Sequence, residues 1–145
     1  MRLSFTVPGE PKGKARAQTV RNENGASHTY TPDNTVLYEN LIKTIYRQSC
    51  PGRRFPDDAM LDMRIIAYYG IPKSKSKKQR VEMLAGNIRP TKTPDWDNIG
   101  KVVSDALNNI AYADDRHIVD AQVRKFYSDR PRVEVIIQTI EGGSQ

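Results

Sequence analysis

The chain is expected to fold as an α+β protein, a mixed sheet of four or five strands with two main helices packed on one face. Three observations carry this expectation. Several short runs alternate apolar and polar residues with the period of a half-buried strand. Two longer runs place apolar residues at steps of three and four, the signature of an amphipathic helix. No internal repeat or low-complexity linker divides the 145 residues, a length that suits one domain over residues 1–145.

Taken in order, Leu3-Ser4-Phe5-Thr6-Val7 alternates and is ended by Pro8-Gly9 and Pro11. Pro11 to Ser27 has no periodicity and reads as a basic loop. His28 to Thr31 is a candidate short strand, closed by Pro32. Asp33 is placed to cap a helix reaching about Arg47, with Val36, Leu37, Asn40, Leu41, Thr44 and Ile45 on one face; Pro51-Gly52 stops the chain there. Met60 to Tyr69 puts Met63, Ile65, Ala67 and Tyr69 on one parity and Asp62, Arg64 and Tyr68 on the other, a strand with one wetter face. The basic run Lys73 to Arg80 leads into a short helix through Leu84, ended by Gly86, and Arg89 to Pro94 is irregular. Asn98 to Asn109 is the second main helix, striped by Ile99, Val102, Val103, Ala106, Leu107 and Ile110. His117 to Tyr127 and Arg132 to Ile140 are strands joined through Ser128-Asp129-Arg130-Pro131, and 141–145 is a frayed tail.

Composition narrows the function. Cys50 is the single cysteine, so no intrachain disulfide can form; with His28 and His117 as the only histidines, Cys₄ and Cys₂His₂ zinc sites are excluded. No apolar run approaches the ~20 residues a membrane helix needs, and the N-terminal MRLSFTVPGEPKG lacks the apolar core of a signal peptide. A cytoplasmic protein is expected. Twenty-three Lys and Arg against seventeen Asp and Glu leave a formal charge of +6, which points to a polyanionic partner, nucleic acid first.

Against this basic background the acids gather late in the chain, at Asp95, Asp97 and Asp105 and again at Asp114-Asp115. If the two sets meet, their oxygens suit a hard divalent ion such as Mg²⁺, which also takes phosphate oxygens and can activate water for phosphodiester hydrolysis. Close carboxylates repel and favour a shared cation. Ordinary roles compete with this one. Asp97 or Asn98 would serve as a helix N-cap, Asp95 would suit the helix dipole, and Asp114-Asp115 is turn composition. A lone D-x-D pair does not choose between them. Lys101, one helical turn after Asp97, is either an ion-pair partner or a cation beside a scissile phosphate.

Asp95-Trp96-Asp97-Asn98, Lys101, Asp105-Ala106-Leu107-Asn108, Asp114-Asp115 and Ile118-Val119 together resemble the RusA family of Holliday-junction resolvases. That family carries a D-x-D-N-x-x-K helix entry, a D-A-L-N helix end and a D-D pair leading into a strand. The likeness is specific from Asp95 to Val119 and extends as architecture over most of the chain. It implies a homodimeric, Mg²⁺-dependent endodeoxyribonuclease, with Mn²⁺ able to substitute, that nicks four-way DNA junctions symmetrically in recombination and repair. Members are often encoded by phages and prophages. Asp95, Asp97 and Asp115 match the essential metal-binding acids, Asp114 the first member of the pair, and Lys101 the motif lysine. The loop from Asn109 to Asp114 is short, and the basic segment from Ile71 to Thr93 is longer than a compact member needs, which bears on junction specificity rather than catalysis.

The expected DNA contacts are Lys12, Lys14, Arg16 and Arg21, then Lys73, Lys75, Lys77, Lys78 and Arg80, and Lys125 on the strand after Asp115. Trp96 is expected to point away from the two acids into the core, on the premise that its segment is extended. His117 is expected to be a polar residue at a strand edge. Two other functions stay open: a branched-DNA-binding protein that does not cut, and a metal-dependent nuclease of broader taste acting on flaps or RNA.

Overall fold

The computed structural model describes residues 1–15, 18–30 and 32–142. Arg16, Thr31 and the end of the tail, 143–145, lie outside the described residues. In chain order the elements are β1 (Arg2–Pro8), β2 (Gln18–Arg21), β3 (Ser27–Tyr30), α1 (Asp33–Ser49), β4 (Leu61–Gly70), α2 (Lys77–Leu84), α3 (Trp96–Leu107), a short 3₁₀ turn (Asp115–His117), β5 (Ile118–Ser128) and β6 (Arg132–Thr139). The class is α+β, as the patterning predicts, with α2 as a third, shorter helix. The main sheet is four-stranded and mixed, in the order β1-β6-β4-β5, and β2 and β3 form a separate hairpin.

Period-two patterning decides which side of the sheet is buried. In β1 the residues Leu3, Phe5 and Val7 turn inward, and across the antiparallel pair they sit opposite Ile137, Val135 and Val133. In β4, Met63, Ile65, Ala67 and Tyr69 are buried as their parity predicts. β4 pairs antiparallel with β6 and parallel with β5, where Ile65 faces Val123 and Ala67 faces Lys125.

The turn after β5 joins two strands that are not neighbours, because β4 lies between them. Crossing one strand spans about 9–10 Å, within reach of the three linking residues. Gly70, at the end of β4, makes room for that crossing. A Cβ there would approach Pro131 Cγ at 3.2 Å and press into the Glu10 carboxylate, which instead accepts the Gly70 N–H at 3.0 and 3.2 Å.

Helix α3 is the clearest element. Ile99, Val102, Val103, Ala106 and Leu107 are all fully buried on one face, each branched side chain contributing about 1.5–3 kcal/mol of apolar burial. It lies against α1 and β5. Helix α1 departs from its expected face. Its buried residues are Thr35, Tyr38, Ile42 and Tyr46, while Val36 and Leu37 are exposed. The two tyrosines bring more apolar area than the aliphatic stripe, and Tyr46 packs edge-on to Phe5 with ring centres 5.6 Å apart. Nor does Asp33 cap this helix: Pro32 holds the cap position and no side chain closes it. The basic loop also holds more structure than its composition shows, since β2 and β3 pair through a turn in which Gly25 has a φ of +84°. Helix α2 begins with a capping box between Ser76 and Gln79 and is followed by Gly86 at φ +83°. No helix among the described residues is long and apolar enough to cross a membrane.

Candidate active site

The acidic segment enters α3 from a braced approach. The Tyr69 hydroxyl, from the end of β4, donates to the Pro94 carbonyl at 2.6 Å, and the Thr93–Pro94 peptide is cis. Asp95 then occupies the N-cap position of α3, yet its side chain makes no capping hydrogen bond. The cap position thus falls to Asp95 rather than to Asp97 or Asn98, and Asp95 keeps the favourable place at the positive end of the helix dipole expected of it. Its carboxylate acts electrostatically on its surroundings, opposing the burial that lowers the Lys125 amine and adding to the burial that raises the Tyr69 hydroxyl. Asp97 lies in the first helical turn and is exposed.

The basic loop after β1 docks onto this entry. The Lys14 N–H donates to the Asn98 carbonyl at 2.9 Å. Gly13 allows the approach, since a Cβ there would lie 2.9 Å from Asn98 Cβ and 3.0 Å from Pro94 Cβ. The Lys14 amine is 2.9 Å from Glu39 and 3.4 Å from Asp105. Burial lowers its pKa, but the Glu39 hydrogen bond and charge, with help from Asp105, leave it raised overall. Lys14 thus ties the loop to α1 and α3.

The second acidic pair is brought back by the end of α3. Asn108 closes the helix, Asn109 takes a left-handed φ of 63°, and the N–H groups of Ile110 and Ala111 both donate to the Leu107 carbonyl at 3.0 Å. The Tyr112 hydroxyl reaches back to the Ser104 carbonyl at 2.8 Å. Asn108 Oδ1 then accepts the Asp115 N–H at 2.9 Å, fixing the backbone that carries the second carboxylate. The short loop between Asn109 and Asp114 is what turns the chain back along the helix.

The result is a cavity of about 280 Å³ between α3 and the strands β4 and β5, lined by both Asp97 and Asp115. One member of each acidic set, Asp97 and Asp115, thus lines the same cavity. Among the described residues, no three His, Cys, Asp or Glu side chains form a group that could by itself hold a metal ion. Burial, and then the hydrogen bond and charge of Asp114, hold the Asp115 carboxyl above its ordinary pKa; Asp105 adds to this and Lys101 opposes it. Asp114 moves the other way. It is held low by its hydrogen bond with Asp115 and by Arg116, whose guanidinium lies 2.7 Å from its carboxylate. Asp114 also caps the 3₁₀ turn by accepting the Arg116 N–H at 3.3 Å. Lys101 is mostly exposed and sits 3.2 Å from Asp105, one turn along α3.

The donor chemistry fits a hard divalent cation. Asp97 and Asp115 offer carboxylate oxygens on one open cavity, and among the described residues no lysine or arginine forms a salt bridge with Asp95, Asp97 or Asp115. Mg²⁺ is commonly held by one or two carboxylates together with substrate phosphate and water.

Of the remaining expected residues, Lys12, Arg21, Lys73, Lys77 and Lys78 are exposed, and Lys75 and Arg80 are half-buried. Lys125 borders the acidic entry. Its amine donates to the Lys92 carbonyl at 2.6 Å and lies 5.0 Å from the centre of the Tyr69 ring. His117 Nε2 is buried without a hydrogen-bond partner. Trp96 overturns its expectation. The segment is helical rather than extended, so Trp96 does not flip to the core; it is 65% exposed and lines the same cavity as Asp97 and Asp115. The contributions of Gly13, Tyr69 and Asn108 were not singled out by spacing. Only Asn108 carried a signal, as the last residue of Asp105-Ala106-Leu107-Asn108.

A largely apolar cavity that carries two aspartates, set in a chain of positive charge, is compatible with binding a polyanion. The family comparison says which kind. The chain belongs to the endodeoxyribonuclease RusA family, whose model matches residues 8–138. It is also 37% identical over 141 residues to the uncharacterized protein YqaN of Bacillus subtilis (strain 168), covering 95% of this chain and 96% of that one.

Proposed function

We propose that this protein is a divalent-metal-dependent endodeoxyribonuclease that resolves four-way DNA junctions, acting as a homodimer in the cytoplasm. The observation that carries the proposal is the shared cavity of Asp97 and Asp115 in a chain of the RusA family. Asp97 and Asp115 would hold Mg²⁺ or Mn²⁺, with Asp95 at the helix entry as the further acid that the family resemblance implies; the ion would polarise water and neutralise charge at the scissile phosphate.

The chain's own residues do the positioning. Asn108 fixes the Asp115 backbone, and Tyr69 braces the irregular segment entering Asp95. Lys101, paired with Asp105 one turn along α3 and close enough to act on the Asp115 charge, would be the cation for charge that grows on the phosphate. The exposed lysines of α2 and of the loop before it would track the DNA backbone, so binding should weaken steeply with salt. A twofold dimer would present two equivalent sites to opposing strands of a junction, whose symmetry is close to twofold.

Removing the Asn108 side chain should unfasten Asp115. Asn108→Ala is expected to slow single-turnover cleavage roughly tenfold, through misplacement of a reacting group. The accompanying loss of stability should be only about 1 kcal/mol. A melting curve and a cleavage time course on the same preparation check both, and unchanged cleavage would show that the Asn108 bond does not position Asp115.

Substrate class is tested by competition. With Mg²⁺ present, a four-way junction should be cut in preference to a flap, a linear duplex and a structured RNA. Equal cutting of flap and junction would replace the resolvase reading with a nuclease of broader taste. Tight junction binding with no product in Mg²⁺ or Mn²⁺ would favour a binding protein instead.

A further inference from the structure

We infer that the apolar half of this cavity receives an unstacked nucleobase from the nucleotide beside the scissile phosphate, with the Trp96 indole as its stacking face. The inference rests on the endonuclease reading, because that reading sets the phosphate at Asp97 and Asp115. Whatever fills the adjoining wall is then the sugar or base covalently attached to that phosphate.

Several features suit a base. The cavity is walled by Met63 and Ile65 of β4 and Val123 of β5, with Gly100 as the small residue on the helix side. At about 280 Å³ it is smaller than the roughly 300–1,000 Å³ of ordinary small-molecule pockets and suits a single ring system. Trp96 is 65% exposed on the first turn of α3, at the mouth of that apolar wall, where burial within the monomer does not account for it. Indoles are strong platforms for base stacking, and every base offers a π-face to them. Gln122 and Ser104, which also line the cavity, supply hydrogen-bonding groups for the base edge. Unstacking costs least where bases are already loosened, as at the crossover of a junction. The cavity would therefore select for DNA that can release a base and would impose a sequence preference at the cut.

Trp96 is the single tryptophan, so its emission reports this position alone. Titrating the protein with a four-way junction in EDTA should quench the emission. A 2-aminopurine placed next to the cut site should change in fluorescence with the parent protein and not with Trp96→Ala. That variant should bind the junction within about threefold of the parent and cut it roughly tenfold more slowly in a single turnover, whereas Trp96→Phe should recover most of the rate. Because Trp96 is exposed, both variants should melt like the parent. Unchanged emission at saturating DNA, or parental cutting by Trp96→Ala, would overturn the inference. A parent protein that shows the quench but cuts nothing in Mg²⁺ or Mn²⁺ would overturn the endonuclease reading and leave the base contact supported.

Discussion

Asp97→Asn is expected to reduce junction cleavage by roughly a thousandfold or more while leaving DNA binding close to the parental level. The substitution preserves shape and removes only the charge. Asp97 is exposed in the first turn of α3 and lines the cavity shared with Asp115. Its structural contribution is limited to a favourable interaction with the helix dipole, about 0.3–1 kcal/mol. Folding should therefore survive, and a melting curve should show it. Loss of a negative charge beside a phosphate site would, if anything, tighten binding by easing repulsion. Binding by fluorescence anisotropy and cleavage by gel should thus separate. A variant that cuts at the parental rate would remove Asp97 from the site.

Gly13→Val is expected to damage the protein in a different way. Gly13 packs where a Cβ would meet the side chains of Asn98 and Pro94 at 2.9 and 3.0 Å, and both neighbours belong to the entry of α3. Nothing flexible lies there to yield. The bulk must lever the loop away, stretching the Lys14 N–H bond to Asn98 and the Lys14 ties to Glu39 and Asp105. Overpacking of this kind costs about 1–3 kcal/mol. Because the strain falls on the segment carrying Asp95 and Asp97, cleavage should fall at least tenfold even well below the melting temperature. Equal melting and equal cleavage would mean that the loop does not need its close seat on α3.

The sequence was informative where one pattern had no rival. The apolar stripe of α3 is uninterrupted, and every member of it from Ile99 to Leu107 is buried. The parity of β4 held for the same reason. In α1 two stripes compete, and aliphatic periodicity alone favours Val36 and Leu37, while the tyrosines decide the buried face through area that a simple apolar count undervalues. The order of the strands was not legible, because the turn from Ser128 to Pro131 has the composition of a hairpin and instead crosses the end of β4.

For the site, the residue types were legible and their meeting was not. Whether Asp115 returns to the helix carrying Asp97 depends on the left-handed Asn109, the Tyr112 hydroxyl and the Asn108 amide, none of which leaves a periodic trace. Trp96 shows how one local assumption propagates. An extended backbone sends it to the core, and a helical one leaves it at the mouth of the cavity. In the sequence Lys14 is one more residue of an aperiodic basic loop, yet it is anchored by two carboxylates from different helices.

The central claim is that the acids around α3 make this chain a metal-dependent junction-resolving enzyme. The most direct measurement incubates the purified protein with a labelled mobile four-way junction and, separately, with a linear duplex of equal length, each in Mg²⁺ and in EDTA. Paired, symmetric nicks in the junction alone, lost in EDTA, are the predicted result. Junction binding without any cut in Mg²⁺ or Mn²⁺ would contradict the account and return Asp95, Asp97 and Asp115 to structural roles.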